Sequence, residues 1–318
     1  MKQTPVVYIV FNRPEHTRKT FEVLRKQRPK NLFIIADGPR SNHPSDDWKC
    51  SSVREIVDKV DWPCEVKRNY AEKNLGLKKR VSSGLDWIFE SVDRAIVLED
   101  DCVANPDFFE FCDTMLEHYS NDERVSVVTG NNFQRGFRHG DASYYFSKFS
   151  HCWGWATWKR AWQHFDGDIS FWPEWSKSDD WKDKIDDKVE RKYWTEIFGR
   201  VRNGSIDSWA YPWTACNWYR GTLSVAPNVN LVSNIGFGLD GTHTLSKKHA
   251  AANLETHPLG LLKHPDKVIN NVEADKFDFE NHFGGKNLRF PRSILTNMKR
   301  LLRITFRFLR NSLNINQK

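Results

Sequence analysis

The stretch "RAIVLEDDC", residues 94–102, drives an apolar run straight into three adjacent acids, Glu99, Asp100 and Asp101. Residues 95–98 read as a strand passing through a core. Carboxylates side by side repel one another, so a positive partner is expected where this strand ends. Such a cluster has two uses. It can hold a hard divalent cation through oxygen ligands shared with substrate phosphates, or it can hydrogen-bond the hydroxyls of a sugar or ribose. A solvated turn with no ligand is the bland alternative.

Outward from this point the chain alternates. Residues 6–11, 31–36, 64–70, 95–98 and 125–129 read as strands, and 14–26, 52–60, 77–91 and 106–119 as helices. Pro14 suits a first helical turn, and Asn105 before Pro106 suits an N-cap. Val81, Leu85, Ile88 and Phe89 recur on one helical face. This alternation predicts an α/β fold with a mostly parallel central sheet covered on both faces. In such sheets ligands sit beyond the carboxyl ends of the strands. Three of those ends carry polar residues here: Asn12-Arg13, Asp37 and the acid triplet.

Past residue 150 the texture changes. Eleven of the fourteen tryptophans fall between Trp153 and Trp218. Charged helical text occupies 176–202, short strand-like pieces lie at 223–225 and 229–232, and loops carry Gly236, Gly238 and Gly241. The expected organisation is an α/β half over 1–150, a tryptophan-rich lobe of the same domain over 151–285, and a basic tail over 286–318.

Composition narrows the classes. The net charge of +7 comes from the tail: residues 286–318 hold nine Lys or Arg and no acid, whereas the rest has 39 basic against 41 acidic residues. A pI of 9.0 therefore describes a tail and gives no reason to expect nucleic acid as a partner. Six cysteines without a C-x-x-C pair or zinc spacing fit reduced thiols in a cytoplasmic protein. No run of about 18 apolar residues marks a membrane span, and the first apolar run is too short for a signal peptide. No G-x-x-x-x-G-K-[ST] loop and no G-x-G-x-x-G follows the first strand. A P-loop kinase or a Rossmann dehydrogenase is thereby disfavoured, and metal-bridged binding of a nucleotide-diphosphate sugar is favoured.

The segment "GLKKRVSSGLDWIFESVDRAIVLEDDCVANPDFFEFC", residues 76–112, resembles the GT-A glycosyltransferases. It looks closest to the N-acetylglucosaminyltransferase I-like group, with its E-D-D followed by a P-D-F-F helix start. "FNRP" after the first strand and "ADGP" after the second fit that family's nucleotide-binding half. "CWGWATWKRAW" and "DSWAYPW" look like its later G-W and D-D-W segments. The chain is also similar to bacterial sugar transferases that build surface polysaccharides such as lipopolysaccharide.

The resemblance implies roles residue by residue. Asp101 would be the direct ligand of Mn²⁺ or Mg²⁺. Glu99 and Asp100 would contact the donor sugar and ribose. Asp37 would bind the base, with Phe11 beside it, and Arg13 would reach base or phosphate. Arg80, with Lys78 and Lys79, opens a helix near the expected diphosphate, and His243 in "GTHT" matches a histidine near it. Asp207 would be the catalytic base, although Ser208 stands where the family has a second Asp; Asp179 and Asp180 are its rivals. Among the tryptophans most are expected in the core, with one or two of Trp153, Trp155, Trp209 and Trp213 lining an acceptor cleft.

In the tail, Leu295, Met298, Leu302, Phe306 and Leu309 recur at helical spacing, with Arg300, Arg303, Arg307 and Arg310 on another side. This suits docking on an anionic membrane surface from the cytoplasmic side, or packing on the body. The expectation is a GT-A glycosyltransferase, hexosyl- or N-acetylhexosaminyl-, inverting, acting on a glycan or lipid-linked acceptor. A sugar-phosphate nucleotidyltransferase and a non-catalytic glycan-binding protein are the alternatives.

Overall fold

A computed structural model describes residues 4–237 and 251–293. The strands are β1 (Val6–Val10), β2 (Asn31–Ala36), β3 (Glu65–Tyr70), β4 (Arg94–Glu99), β5 (Cys102–Ala104), β6 (Val125–Thr129), β7 (Tyr144–Ser147), β8 (Trp155–Trp158), β9 (Leu223–Pro227) and β10 (Val232–Asn234). The helices are α1 (Pro14–Gln27), α2 (Asp46–Val57), α3 (Leu77–Phe89), α4 (Pro106–His118), α5 (Lys159–Trp162), α6 (Trp172–Trp175), α7 (Asp179–Lys184), α8 (Lys188–Arg202), α9 (Ala210–Tyr219) and α10 (Val272–Asn281).

Eight strands form one sheet in the order β3-β2-β1-β4-β8-β6-β9-β7, and β5 pairs with β10 in a separate antiparallel ribbon. Six of the eight run the same way; β8 and β7 run against their neighbours. The architecture is therefore α/β with a large mixed, mostly parallel sheet, and the carboxyl ends of β1, β2, β4, β6 and β9 share one edge.

The two faces follow from the two-residue alternation of a strand. Val6, Tyr8, Val10, Ile34, Ile96 and Leu98 face Phe21 and Leu24 of α1, Val53 and Val57 of α2, and the Phe108–Leu116 face of α4. Val7, Ile9, Phe33, Ile35, Ala95 and Val97 face Val81, Leu85 and Ile88 of α3 together with Trp155, Trp162, Trp209 and Trp213. A third cluster, with Phe149, Trp172, Trp175, Trp181, Trp194, Phe198 and Trp218, fills the lobe outside the sheet. Asn105 does cap α4, its side chain accepting from the Phe108 N–H at 3.1 Å.

Several local readings need correction. The second helix begins at Asp46 and not at 52, because Asp46 is held by Arg40 and Asn12 and turns the chain earlier. Strands β7 and β8 carry no alternation that could have announced them, since all four residues of each are buried. β8, from past residue 150, lies in the middle of the sheet between β4 and β6. His243 and residues 294–318 of the tail lie outside the described residues.

Candidate functional site

The carboxyl edge gathers the polar strand ends. Glu99 closes β4, and by alternation it shares the face of Ala95 and Val97, where Trp155 and Trp209 pack. Asp100 turns the other way. It accepts from the Phe11 N–H at 3.4 Å, and its own carbonyl accepts from the Thr20 hydroxyl at 3.1 Å. Arg13, just past β1, reaches Asp101 Oδ2 at 3.0 Å and Asp100 Oδ1 at 3.5 Å. Asp101 Oδ1 accepts from the Asn234 amide at 3.2 Å, and its carbonyl accepts from the Ile235 N–H at 2.9 Å. The β5–β10 ribbon thus brings residues 234–236 onto Asp101 from far along the chain.

The electrostatics follow from burial. Glu99 is pushed well above the usual carboxylate range by burial and then by Asp101 and Asp100, with Arg13 opposing. Burial also raises Asp100, against the pull of Arg13. The Cys102 and Cys152 thiols are raised by burial and by the same acids, which places both beside the cluster. Arg13 forms ion pairs with two of the three carboxylates, Asp100 and Asp101. One guanidinium cannot balance three ionised acids, so the cluster favours a cation or protons.

Asp37 is placed differently from the expectation. Its Oδ1 accepts from the Gly38 and Leu75 N–H groups at 2.8 and 2.9 Å, and its Oδ2 from the Asn74 amide and the Gly76 N–H at 3.0 and 3.2 Å. Four bonds saturate a carboxylate. Burial raises its pKa despite those donors. Asp37 therefore fixes the loop ahead of α3, and a direct contact with a base would have to displace one of these bonds.

Arg80 is buried, not turned to a diphosphate. Its guanidinium donates to the Asn69 carbonyl and side-chain oxygen at 2.6 and 2.9 Å, tying α3 to the end of β3. Burial lowers its pKa, with Asp37 pulling the other way. Its position was readable: Arg80, Gly84 and Ile88 are four apart, and Gly84 lies so close to Ile35 that a Cβ would stand 2.5 Å away. Lys78 pairs with Asp168 at 2.7 Å.

Asp207 is exposed on the loop before α9. Its Oδ2 lies 3.5 Å from where a Cβ on Gly76 would stand, so it overhangs the loop that Asp37 holds. Two residues on, Trp209 stacks on Trp155 at 5.2 Å. The rivals are committed elsewhere: Asp179 pairs with Lys182 at 2.7 Å, and Asp180 accepts from the Trp175 indole.

The tryptophan expectation divides. Trp155, Trp209 and Trp213 are at most 2% exposed and pack on the sheet, so they cannot line an acceptor cleft. Trp153 is half-buried, edge-on to Phe133 at 5.0 Å and to Phe237 at 5.4 Å.

Three residues at this edge escaped the sequence reading. Arg40 lies over the Phe11 ring at 5.4 Å while holding buried Asp46. Asn234 orients Asp101, and Gly236 sits against the Asp101 carboxylate. Only the glycine left a signal, in "GFG".

No group of three or more His, Cys, Asp or Glu side chains among the described residues is arranged to hold a metal ion. The donor set fits only a hard cation bound by one carboxylate, Asp101, with other ligands from phosphate and water. Arg13 would then leave Asp101. No described helix is long and apolar enough to cross a membrane.

No protein-family model and no curated protein matches the chain. Among solved structures, a mannosyltransferase from Pyrobaculum calidifontis in complex with GDP-Man and Mn²⁺ is 14% identical, at a TM-score of 0.35, over 49% of this chain and 44% of that one. A Desulfovibrio desulfuricans protein described as a nucleotide-diphospho-sugar transferase is 14% identical, at 0.32, over 54% and 70%. A cytidylyltransferase from Leptospira borgpetersenii is 10% identical, at 0.34, over 52% and 64%. The chain thus spans less than two thirds of the mannosyltransferase and of the cytidylyltransferase. Similarity this low assigns no chemistry; the residues must carry it.

Proposed function

We propose that this protein is a GT-A glycosyltransferase, moving a sugar from a nucleotide-diphosphate donor to a hydroxyl of a glycan or lipid-linked acceptor with inversion. The observation that carries the reading is the acid triplet at the end of β4, paired only in part by Arg13; exposed Asp207 stands over the neighbouring Gly76 loop.

In this reading Asp101 holds Mn²⁺ or Mg²⁺, which when bound offsets the charge of the departing diphosphate. Glu99 and Asp100 accept hydrogen bonds from donor hydroxyls. Arg13 exchanges Asp101 for a phosphate oxygen, and Phe11 with Arg40 forms a stacking surface for the base. Asp37 and Arg80 act by positioning, the first by fixing residues 74–76 and the second by tying α3 to β3. Asp207 takes the proton of the acceptor hydroxyl as its oxygen bonds to the anomeric carbon and the bond to the diphosphate breaks. His243 is kept as a contact to the diphosphate on the resemblance alone.

The basic segment 286–318 is read as a contact to an anionic membrane surface, placing the enzyme peripherally on the cytoplasmic face. Retention of the full chain on anionic liposomes, lost on deleting residues after Phe290, tests that part.

The test of the reaction is hydrolysis across a panel of nucleotide sugars with Mn²⁺, with and without chelator. Turnover of a nucleotide sugar that stops with chelator supports the reading. Turnover only of a sugar phosphate with a nucleoside triphosphate would replace it by a nucleotidyltransferase, and no turnover of either by a glycan-binding protein.

A further inference from the structure

The same edge of the sheet carries a cleft away from the acid cluster. It holds about 380 Å³ and opens beyond the carboxyl ends of β6 and β9, lined by Asn132, Phe133, Arg135, Arg138, Asn230 and His282 among others. Phe133, almost fully buried, backs His282 in a face-to-face stack at 3.6 Å and 12°, and both rings line the cleft. Trp153 meets that pair edge-on, at 5.0 Å from Phe133 and 6.4 Å from His282. On its other side Trp153 meets Phe237, which follows Gly236 on Asp101. The cleft and the acid cluster therefore share one aromatic partition.

The cleft carries two arginines, Arg135 and Arg138, against one acid, Glu255. Arg135 and Arg138 are exposed, and each has one long bond, at 3.4 Å, to a backbone carbonyl, of Asn281 and Ala142 respectively. Neither has a carboxylate partner among the described residues, whereas Arg25, Arg40, Arg68 and Arg289 all do. Arg135 holds its place in the left-handed region, φ 53°, ahead of Gly136 at φ 88°, a turn that throws both arginines to the same mouth. The lining asparagines are spent on the fold: Asn132 donates to the Pro227 carbonyl and Asn230 to those of Leu254 and Glu255. Recognition is thus left to the rings, to the two guanidiniums, and to the exposed Glu255 and His257 side chains, so the two arginines outnumber one carboxylate at the cleft. Rings suit the apolar face of a sugar, and guanidiniums suit a carboxylate or phosphate.

We propose that this cleft binds an anionic glycan, its sugar face on the Phe133–His282 pair and its carboxylate or phosphate on Arg135 and Arg138. The inference rests on the glycosyltransferase reading only in making this glycan the acceptor.

The test is a calorimetric or NMR titration of the full chain, without donor, using three probes: a uronic-acid oligosaccharide, a phosphorylated oligosaccharide and a neutral one of equal length. The expected result is at least tenfold tighter binding of one or both anionic probes, weakened by salt. Arg135→Gln and Arg138→Gln should each weaken it by about tenfold, the size of one charge-assisted bond. An unchanged melting temperature shows that the variants fold, and Phe133→Leu probes the stacked pair independently of charge. The uronic and phosphorylated arms tell which anion is read. Equal binding of neutral and anionic probes, binding indifferent to both arginine changes, or no binding of any probe would overturn the proposal. Donor hydrolysis by the unaltered chain tests the glycosyltransferase reading separately, so either claim can fail alone.

Discussion

Replacing Gly236 by Ala tests the Asp101 geometry without touching a carboxylate. A Cβ built on Gly236 would stand 2.1 Å from Asp101 Oδ2, 2.8 Å from Cγ and 2.9 Å from Cβ. Ordinary contact begins near 3.4 Å, so the carboxylate must move by about 1.3 Å. Turning the carboxylate about its own axis cannot clear the clash, because Asp101 Cβ is itself in the way. The bonds that hold the Asp101 carboxylate from Arg13 at 3.0 Å and from Asn234 at 3.2 Å are then stretched or lost. A misplacement of about 1 Å at a reacting centre costs on the order of a hundredfold in rate. The assay is Mn²⁺-dependent hydrolysis of whichever nucleotide sugar the panel selects, with a chelator blank and a melting curve alongside. kcat/KM should fall about a hundredfold, with the cooperative melt retained. Wild-type hydrolysis by Gly236→Ala would show that the Asp101 position is irrelevant to the reaction, and the assignment of Asp101 would fall with it.

Other outcomes can be checked on the same material. Asp207→Asn should leave donor binding intact and lower transfer by about a hundredfold or more, as expected for a lost general base; unaltered transfer rejects that base. Trp155→Ala should cost about 3–5 kcal/mol in urea unfolding because it empties core, whereas half-buried Trp153→Ala should cost much less; equal stability losses would contradict the division. Asp46 is held well below the usual carboxylate range, first by the Arg40 hydrogen bond. A carboxyl depressed on folding stabilises above its unfolded pKa of about 4 and loses that contribution as pH falls toward its folded value. Asp46→Asn should therefore cost about 1–3 kcal/mol at pH 7 and progressively less below pH 4. A deficit independent of pH would refute that pairing.

The first half of the fold was legible because β1, β2 and β4 are near-continuous apolar runs and its helices keep one apolar face; β3, the polar edge strand EVKRNY, was placed only by the alternation around it. Pro14 and Asn105 marked helix starts that the structure keeps. β7 and β8 were not legible: "YYFS" and "WATW" are buried at every position, and their pairing with β9, β4 and β6 is set by contacts distant in sequence. The site divides in the same way. Arg13 and the acid triplet are local to two strand ends, and the sheet brings them together. Asp37 looked like a ligand-facing acid because nothing near it in sequence shows that residues 74–76 would consume its oxygens. Arg80 could have been placed, since it lies four residues from Gly84 on the buried face of α3.

The central claim is that a divalent cation bridges Asp101 to a nucleotide diphosphate at the carboxyl edge of β4. Anomalous diffraction from crystals grown with Mn²⁺ and the selected donor tests it most directly. A manganese peak is expected within about 2.2 Å of an Asp101 carboxylate oxygen and of a phosphate oxygen, absent in Asp101→Asn. A diphosphate bound at full occupancy with no manganese on Asp101, or bound away from this edge, would contradict it.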